Sequence, residues 1–387
     1  MKNRTWMICL ICLLFMSCSQ AQNENGGEVV ATVATPVVTA NQDQETVDYE
    51  LVFCLDATGS MSGLISTAKE KIWDIVSGIS QSQDIGQIKL GMVFYRDHGD
   101  NFVTKAYELT TNIDSVYSEL LAIGAQGGGD APESVNASLD EAISKMTWST
   151  KSNAYQTVFL VGDCPPHMDY NEIKYPEICK VANKKGIIIN TIKLGTSCQS
   201  AVYHFKEIAR LTNGSYQQLG QNAKDYVIST PYDDSINMIS RKIDESKIYY
   251  GSTTIKTQMY SKKSKTLKFY DDASISANSS RATFNGTKAG KDNWFGYNEL
   301  IQDVNDGKVK LDSITVAYLP DEFKTITKEE QKVLLTTMQT ERQQNIAELD
   351  ALVKAKDKYV RTEKTKNNGK ESFSEKVIET MKIQAKR

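Results

Sequence analysis

Histidine is nearly missing: the chain has 387 residues and only three histidines, His98, His167 and His204. None lies in an HExxH helix or beside a GxSxG serine, which leaves zinc proteases and serine hydrolases without their signatures. No CxxC or Cys/His group shows zinc spacing, and no P-loop is present to cradle a nucleotide phosphate. Acidic residues slightly exceed basic ones, 48 against 45, so the electrostatic footprint of a nucleic-acid binder is missing too. Beyond the N-terminal segment no apolar run is long enough to span a bilayer. Trp148, Trp294, Phe295 and Tyr297 are read as core packing.

The N-terminus is informative. Lys2 and Arg4 precede a short apolar core at 6–16, the pattern of a secretory signal over 1–17. Leu14-Phe15-Met16-Ser17-Cys18 resembles a bacterial lipobox, which implies lipidation at Cys18 and an anchored protein. Residues 18–46 then read as the lipidated N-terminus and a flexible linker. The expected location is the bacterial cell envelope, periplasmic or surface-exposed, with plain secretion as the alternative. Disulfides are permitted there, and Cys54, Cys164, Cys179 and Cys198 leave the pairing open.

From residue 47 strands and helices alternate. Apolar runs at 49–55, 88–95, 157–161 and 187–192 read as buried strands, with 103–109 as an edge strand and 215–219 as a short last one. Helical spacing marks 61–79, 113–123, 132–146, 173–184 and 202–211. The fold class expected over 47–222 is α/β, a doubly wound, mostly parallel sheet, with ligands at the carboxyl ends of its strands. Residues 223–325 read as a helix (234–248) plus a small β-rich module, with strands at 266–270, 281–285 and 313–318. Residues 326–387 read as one long helix, striped by Leu334, Leu335, Met338, Ile346, Leu349, Leu352 and Val353, and a charged, frayed tail. The C-terminal region is thus expected to be α+β, ending in a long helix.

Chemistry concentrates at strand ends. Asp56-Ala57-Thr58-Gly59-Ser60 follows the first strand and puts hard oxygen donors at i, i+2 and i+4, a set suited to magnesium, manganese or calcium. The alternative is that Ser60 or Ser62 merely caps the next helix. Gly127-Gly128-Gly129-Asp130-Ala131-Pro132-Glu133 places two carboxylates before a helix, where they either bind a cation or favour the helix N-terminus. Asp163 ends a buried strand, and Tyr95-Arg96-Asp97 ends another.

In this order and context the segments resemble the von Willebrand factor A family over about residues 47–220. The resemblance implies a metal-ion-dependent adhesion site, or MIDAS, with Asp56, Thr58 and Ser60 as its DxSxS motif. Asp163 matches the later aspartate of that site, often a ligand through water. The glycine loop is similar to that of β-integrins, which makes Glu133 a metal ligand. Asp97, Asp130, the Pro132 carbonyl and Glu133 match parts of a second cation site. There Gly128 stands in place of its asparagine, and Gly63-Leu64 in place of the acidic pair after DxSxS. The implied cofactor is Mg2+, or Mn2+ or Ca2+, and the implied partner is a protein whose acidic residue completes the coordination. An envelope scaffold with a purely structural cation and a metal-dependent hydrolase are the competing functions. The expected partners include no nucleic acid, and the membrane only through the lipid.

Overall fold

The computed structural model describes residues 46–387 except 82–84, 130, 222–224, 226, 367–371 and 387. The leader at 1–17, Cys18, the linker up to residue 45 and Asp130 lie outside the described residues.

Six strands make one sheet: β1 (Val47–Asp56), β2 (Ile85–Tyr95), β3 (Thr104–Thr110), β4 (Ala154–Gly162), β5 (Ile188–Leu194) and β6 (Tyr216–Leu219). Their order is β3-β2-β1-β4-β5-β6. All neighbours pair in parallel except β3, antiparallel to β2 at the edge. The central strands read as unbroken apolar runs because both faces are covered. Leu51, Phe53 and Leu55 of β1 join one core, and Val52 and Cys54 the other. Helices α1 (Ser62–Ser80) and α2 (Ile113–Ala122) cover the first face. Helices α3 (Val135–Asp140, continued as π-helix over Glu141–Lys145), α4 (Tyr175–Lys185) and α5 (Ser200–Leu211) cover the second. In register, Asp56 faces Tyr95, Leu55 faces Val161 and Gly162 faces Lys193, so the loops after β1, β2 and β4 open on one sheet edge.

The expected β-rich module is a correction. Residues 266–270 lie in α7 (Thr253–Asp272), which follows α6 (Asp233–Glu245), and residues 281–285 lie in α8 (Ile275–Asn285). Residues 313–318 lie at two short 3-10 turns, Leu311–Ser313 and Val316–Tyr318. The serines and asparagines that suggest turns do other work. Ser252 and Ser274 cap α7 and α8 by accepting N–H bonds from Ile255 and Ala277. Ala277, Ser279, Ser280 and Ala282 are small enough for α8 to be buried along its length. Among the described residues the C-terminal region has helices and one isolated bridge, Tyr249 with Glu299, but no named strand: α9 (Lys291–Phe295), α10 (Leu300–Asn305), α11 (Asp321–Lys324), α12 (Lys328–Lys366) and α13 (Phe373–Gln384) follow. All seven stripe residues named for the long helix join apolar clusters. None of the described helices is long and apolar enough to cross a membrane.

The frayed tail is a second correction. Helix α13 returns to the sheet: the Phe373 ring lies 6.2 Å from that of Phe53, and Val377 and Met381 are fully buried. Gln384 accepts from the Tyr155 hydroxyl at 2.6 Å and exchanges amide bonds with Asn190. Phe373, Val377 and Met381 recur every four residues, a stripe masked by charged neighbours. Phe269, Ala277, Phe284 and the buried residues of α13 share one core with β1, and Gln44–Arg387 is one compact unit.

A buried ion cluster fixes the helical region to α2. Arg281 of α8 donates Nε and Nη2 to the two Asp114 oxygens, both at 2.7 Å, and Nη1 to Asp244 of α6 at 2.9 Å. Thr266 and Asn293 add hydrogen bonds to Asp114. Burial alone would raise both carboxyls, yet the adjacent Arg281 guanidinium outweighs it, and both stand below their ordinary values. Their contribution is complete above the unfolded carboxyl range near pH 4 and is lost as pH falls through the lower folded values. Arg281→Met, which takes the guanidinium from Asp114 and leaves Asp244 with Lys247 as its ion-pair partner, is expected to cost about 3–5 kcal/mol in urea unfolding at pH 7. A loss under about 1 kcal/mol would show that the cluster does not hold the two parts together.

Candidate metal centre

The turn after β1 is built around Asp56. Its Oδ1 accepts from the backbone N–H of Thr58 at 2.9 Å and from the Thr58 hydroxyl at 2.6 Å. Its Oδ2 is buried with no hydrogen-bond partner. The Thr58 and Ser60 hydroxyl oxygens are 3.4 Å apart, with Thr58 buried and Ser60 exposed. Neither the 3-10 turn Gly59–Met61 nor α1 has a side-chain N-cap, so Ser60 and Ser62 do not serve as caps. Glu133 is not in the first turn of α3, which begins two residues later with no acidic residue. Instead it forms an isolated parallel bridge with Pro166, its N–H donating to the Pro165 carbonyl at 2.8 Å. Glu133 Oε2 and Asp163 Oδ1 are likewise buried and unpartnered.

Other contacts lock the three loops together. Ala57 donates to the Tyr95 carbonyl, Gln126 to Ala57 and Gly59 to Gly127, all within 3.1 Å. Arg96 sends Nε to the Ala57 carbonyl at 3.1 Å and Nη2 to Gly124 at 2.7 Å, its guanidinium lying over the Phe102 ring. Asp100 accepts from the N–H of Gly128 at 3.0 Å. Gly128 holds φ at +78°, a conformation that L side chains rarely adopt, and a Cβ there would point at Thr58 and Glu133. Cys164 and Cys198 form a disulfide that joins the loop after Asp163 to the loop after β5, while Cys54 and Cys179 are buried free thiols.

The site suits a hard divalent cation. Three buried carboxylate oxygens without partners face neighbouring segments, where each unpaired group is costly. Among the described residues no group of three or more His, Cys, Asp or Glu side chains is placed to hold a metal ion, and the other oxygens at this turn are the hydroxyls of Thr58 and Ser60. Burial pushes the Asp56 carboxyl up to about 7, with Asp163 adding to the rise. Burial pushes Glu133 up to about 9, with Asp56, Asp97 and Asp163 contributing. Neighbouring carboxyls add to the rise at both groups.

A family model described as von Willebrand factor A domain matches residues 50–231. Those residues form a von Willebrand factor A domain. An ariadne-like RING finger protein of Acanthamoeba polyphaga mimivirus is 30% identical over 129 residues, 33% of this chain but only 12% of the viral protein. Among solved structures, proximal thread matrix protein 1 of the mussel byssus aligns at 13% identity and a TM-score of 0.34, covering 45% of this chain and 42% of that one. A form of the mussel protein with a zinc-occupied MIDAS motif aligns at 15% identity and a TM-score of 0.34, covering 46% and 42%. The pilus adhesin SpaC of Lactobacillus rhamnosus GG aligns at 12% identity and a TM-score of 0.35, covering 46% and 28%. The chain therefore spans well under two thirds of each of these proteins.

Within the von Willebrand factor A domain, Asp56, Thr58, Ser60, Glu133 and Asp163 all stand at the carboxyl edge of the sheet. Asp130 lies outside the described residues. Asp97 is engaged elsewhere: its Oδ1 accepts from the Ser134 hydroxyl at 3.1 Å and lies 3.0 Å from Nε2 of His167. Pro132 is half-buried beside Glu133. His167 is buried, stacks on Tyr170 and also meets Asp169 through Nδ1 at 3.1 Å. Sequence reasoning missed Arg96 as a brace, Asp100 as the acceptor for Gly128, and Gln221. Arg96 and Asp100 flank the Asp97 already singled out, and an Arg closing a buried strand was the available signal.

The raised carboxyls set a pH dependence. Between about pH 4, where unfolded carboxyls titrate, and the folded values near 7 and 9, the metal-free fold holds protons that the unfolded chain has released. Stability of the metal-free protein is therefore expected to fall as pH rises from 5 to 9. Saturating Mg2+ should flatten that slope and release protons on binding, read by calorimetry in buffers of different ionisation enthalpy. A melting temperature constant over this range without metal would contradict the carboxylate convergence.

Proposed function

We propose that this chain is an exported, lipid-anchored binding protein. It holds a divalent cation with Asp56, Thr58, Ser60 and Glu133, with Asp163 beside it, and binds an acidic group of a partner protein there. The observation that carries the reading is the set of buried, unpartnered oxygens on Asp56, Glu133 and Asp163. The cation supplies a coordination position that a partner carboxylate can take from water. This chain's residues hold the cation's protein side, keep the loops fixed and leave Ser60 at the exposed rim. Mg2+ suits the hard oxygen set, and Mn2+ and Ca2+ share it.

Export is supported by the leader, the lipobox-like Cys18 and the Cys164–Cys198 disulfide, which fits an oxidising compartment. A binding role suits the site better than hydrolysis. His167, beside it, has both ring nitrogens against carboxylates, Asp97 and Asp169.

Calorimetric titration of Mg2+, Mn2+ and Ca2+ into the purified protein tests the reading. Saturable binding is expected in the native chain, lost in Asp56→Ala and weakened at least about tenfold in Glu133→Ala. Envelope protein should be captured in Mg2+ and released by a chelator. Equal titrations of all three proteins, or no binding by any, would leave the turn a structural feature only.

A further inference from the structure

Asp163 has one oxygen held and one free. Its Oδ2 accepts from the amide nitrogen of Gln221, Nε2, at 3.0 Å, while Oδ1 is buried with no partner. A carboxylate at the end of a strand is free to turn about its last torsion, so a single donor on one oxygen decides where the other points. Gln221 comes from the segment after β6, two strands away from Asp163 in the sheet.

The other end of the same amide is also placed. Gln221 Oε1 lies where a side chain on residue 195 would begin: a Cβ on Gly195 would overlap it, and Gly195 sits at φ +63°. Gly195 is fixed in turn. Its N–H donates to the Leu219 carbonyl at 2.8 Å, and its carbonyl accepts from Lys193 Nζ at 3.1 Å and Gln218 Nε2 at 2.7 Å. The loop after β5 thus offers a seat for the Gln221 amide because residue 195 has no side chain. Gly195 to Ser197 and Gln218 to Gln221 line an open groove of about 480 Å³, so changing Gln221 disturbs a solvated wall, not a packed core.

We propose that Gln221 is a positioning residue for the cation: its amide fixes Asp163 so that the unpartnered Oδ1 faces the turn at Asp56, Thr58 and Ser60. This rests on the metal reading above. Outer-shell partners of this kind commonly change metal affinity 10–100-fold.

The test is calorimetric titration of Mn2+ and Mg2+ into the native protein, Gln221→Leu and Gly195→Ala, with the metal-free melting temperature of each. Gln221→Leu keeps an apolar stem of similar bulk and removes the amide donor. Affinity is expected to fall about tenfold, with the metal-free melting temperature within about 1 °C of native. Gly195→Ala displaces the amide sterically without touching any proposed ligand, and is expected to weaken metal binding to the same degree. The double variant should then bind no more weakly than either single one, since both remove one hydrogen bond. Native binding with unchanged affinity in Gln221→Leu overturns the role of Gln221 and leaves the metal reading standing. No binding by the native protein overturns both. If Gly195→Ala does not fold, Gln221→Leu decides alone.

Discussion

Three carboxyl groups held at one sheet edge are the constraint around which this molecule is arranged. Asp56, Glu133 and Asp163 come from three separate segments, and each brings a buried oxygen that no protein group satisfies. Removing a carboxylate from water costs several kcal/mol unless something compensates. The surroundings oppose their separation at every point. β1 and β4 are direct neighbours, Glu133 is clipped by backbone to Pro165 and Pro166, and Arg96 draws Ala57 and Gly124 together. The disulfide fixes the loop behind Asp163 and closes about 34 residues of chain, a constraint on the unfolded state of about 4 kcal/mol.

The helical region packs on one face of the same sheet. The Asp114–Arg281–Asp244 cluster joins α2, α6 and α8 with no side chain exposed by more than 2%. A second buried pair, Arg342 with Glu299 at 2.9 Å, ties α12 to the start of α10. Bidentate geometry and extra hydrogen bonds compensate for desolvation, so such pairs specify how helices meet more than they stabilise the fold.

How much of this was legible depends on how local the signal was. The sheet was readable because buried parallel strands write themselves as apolar runs, and the turn at Asp56 to Ser60 because its three donors lie within five consecutive residues. Glu133 needed the glycine loop as context, and its bridge to Pro166 has no sequence signature. The helices α7 and α8 were misread because Ser and Asn serve equally as turn formers, caps and small packing residues; only the tertiary setting chooses among them. Helix α13 was hidden by the charge around Phe373, Val377 and Met381. Gln221 carried no signal, since one amide 58 residues from Asp163 matters only once both strands have folded.

Helix α13 also sets the order in which the molecule can be completed. Its Gln384 meets Tyr155 across 229 residues, and its Phe373 covers the central strand β1. The sheet that carries Asp56 and Asp163 therefore keeps part of one apolar face open until the C-terminal helix has been made. Contacts so distant in sequence form late and slowly, and an exposed sheet face invites association while it waits. A chain of this design completes the face beneath its carboxylate edge only after nearly the whole polypeptide has been made.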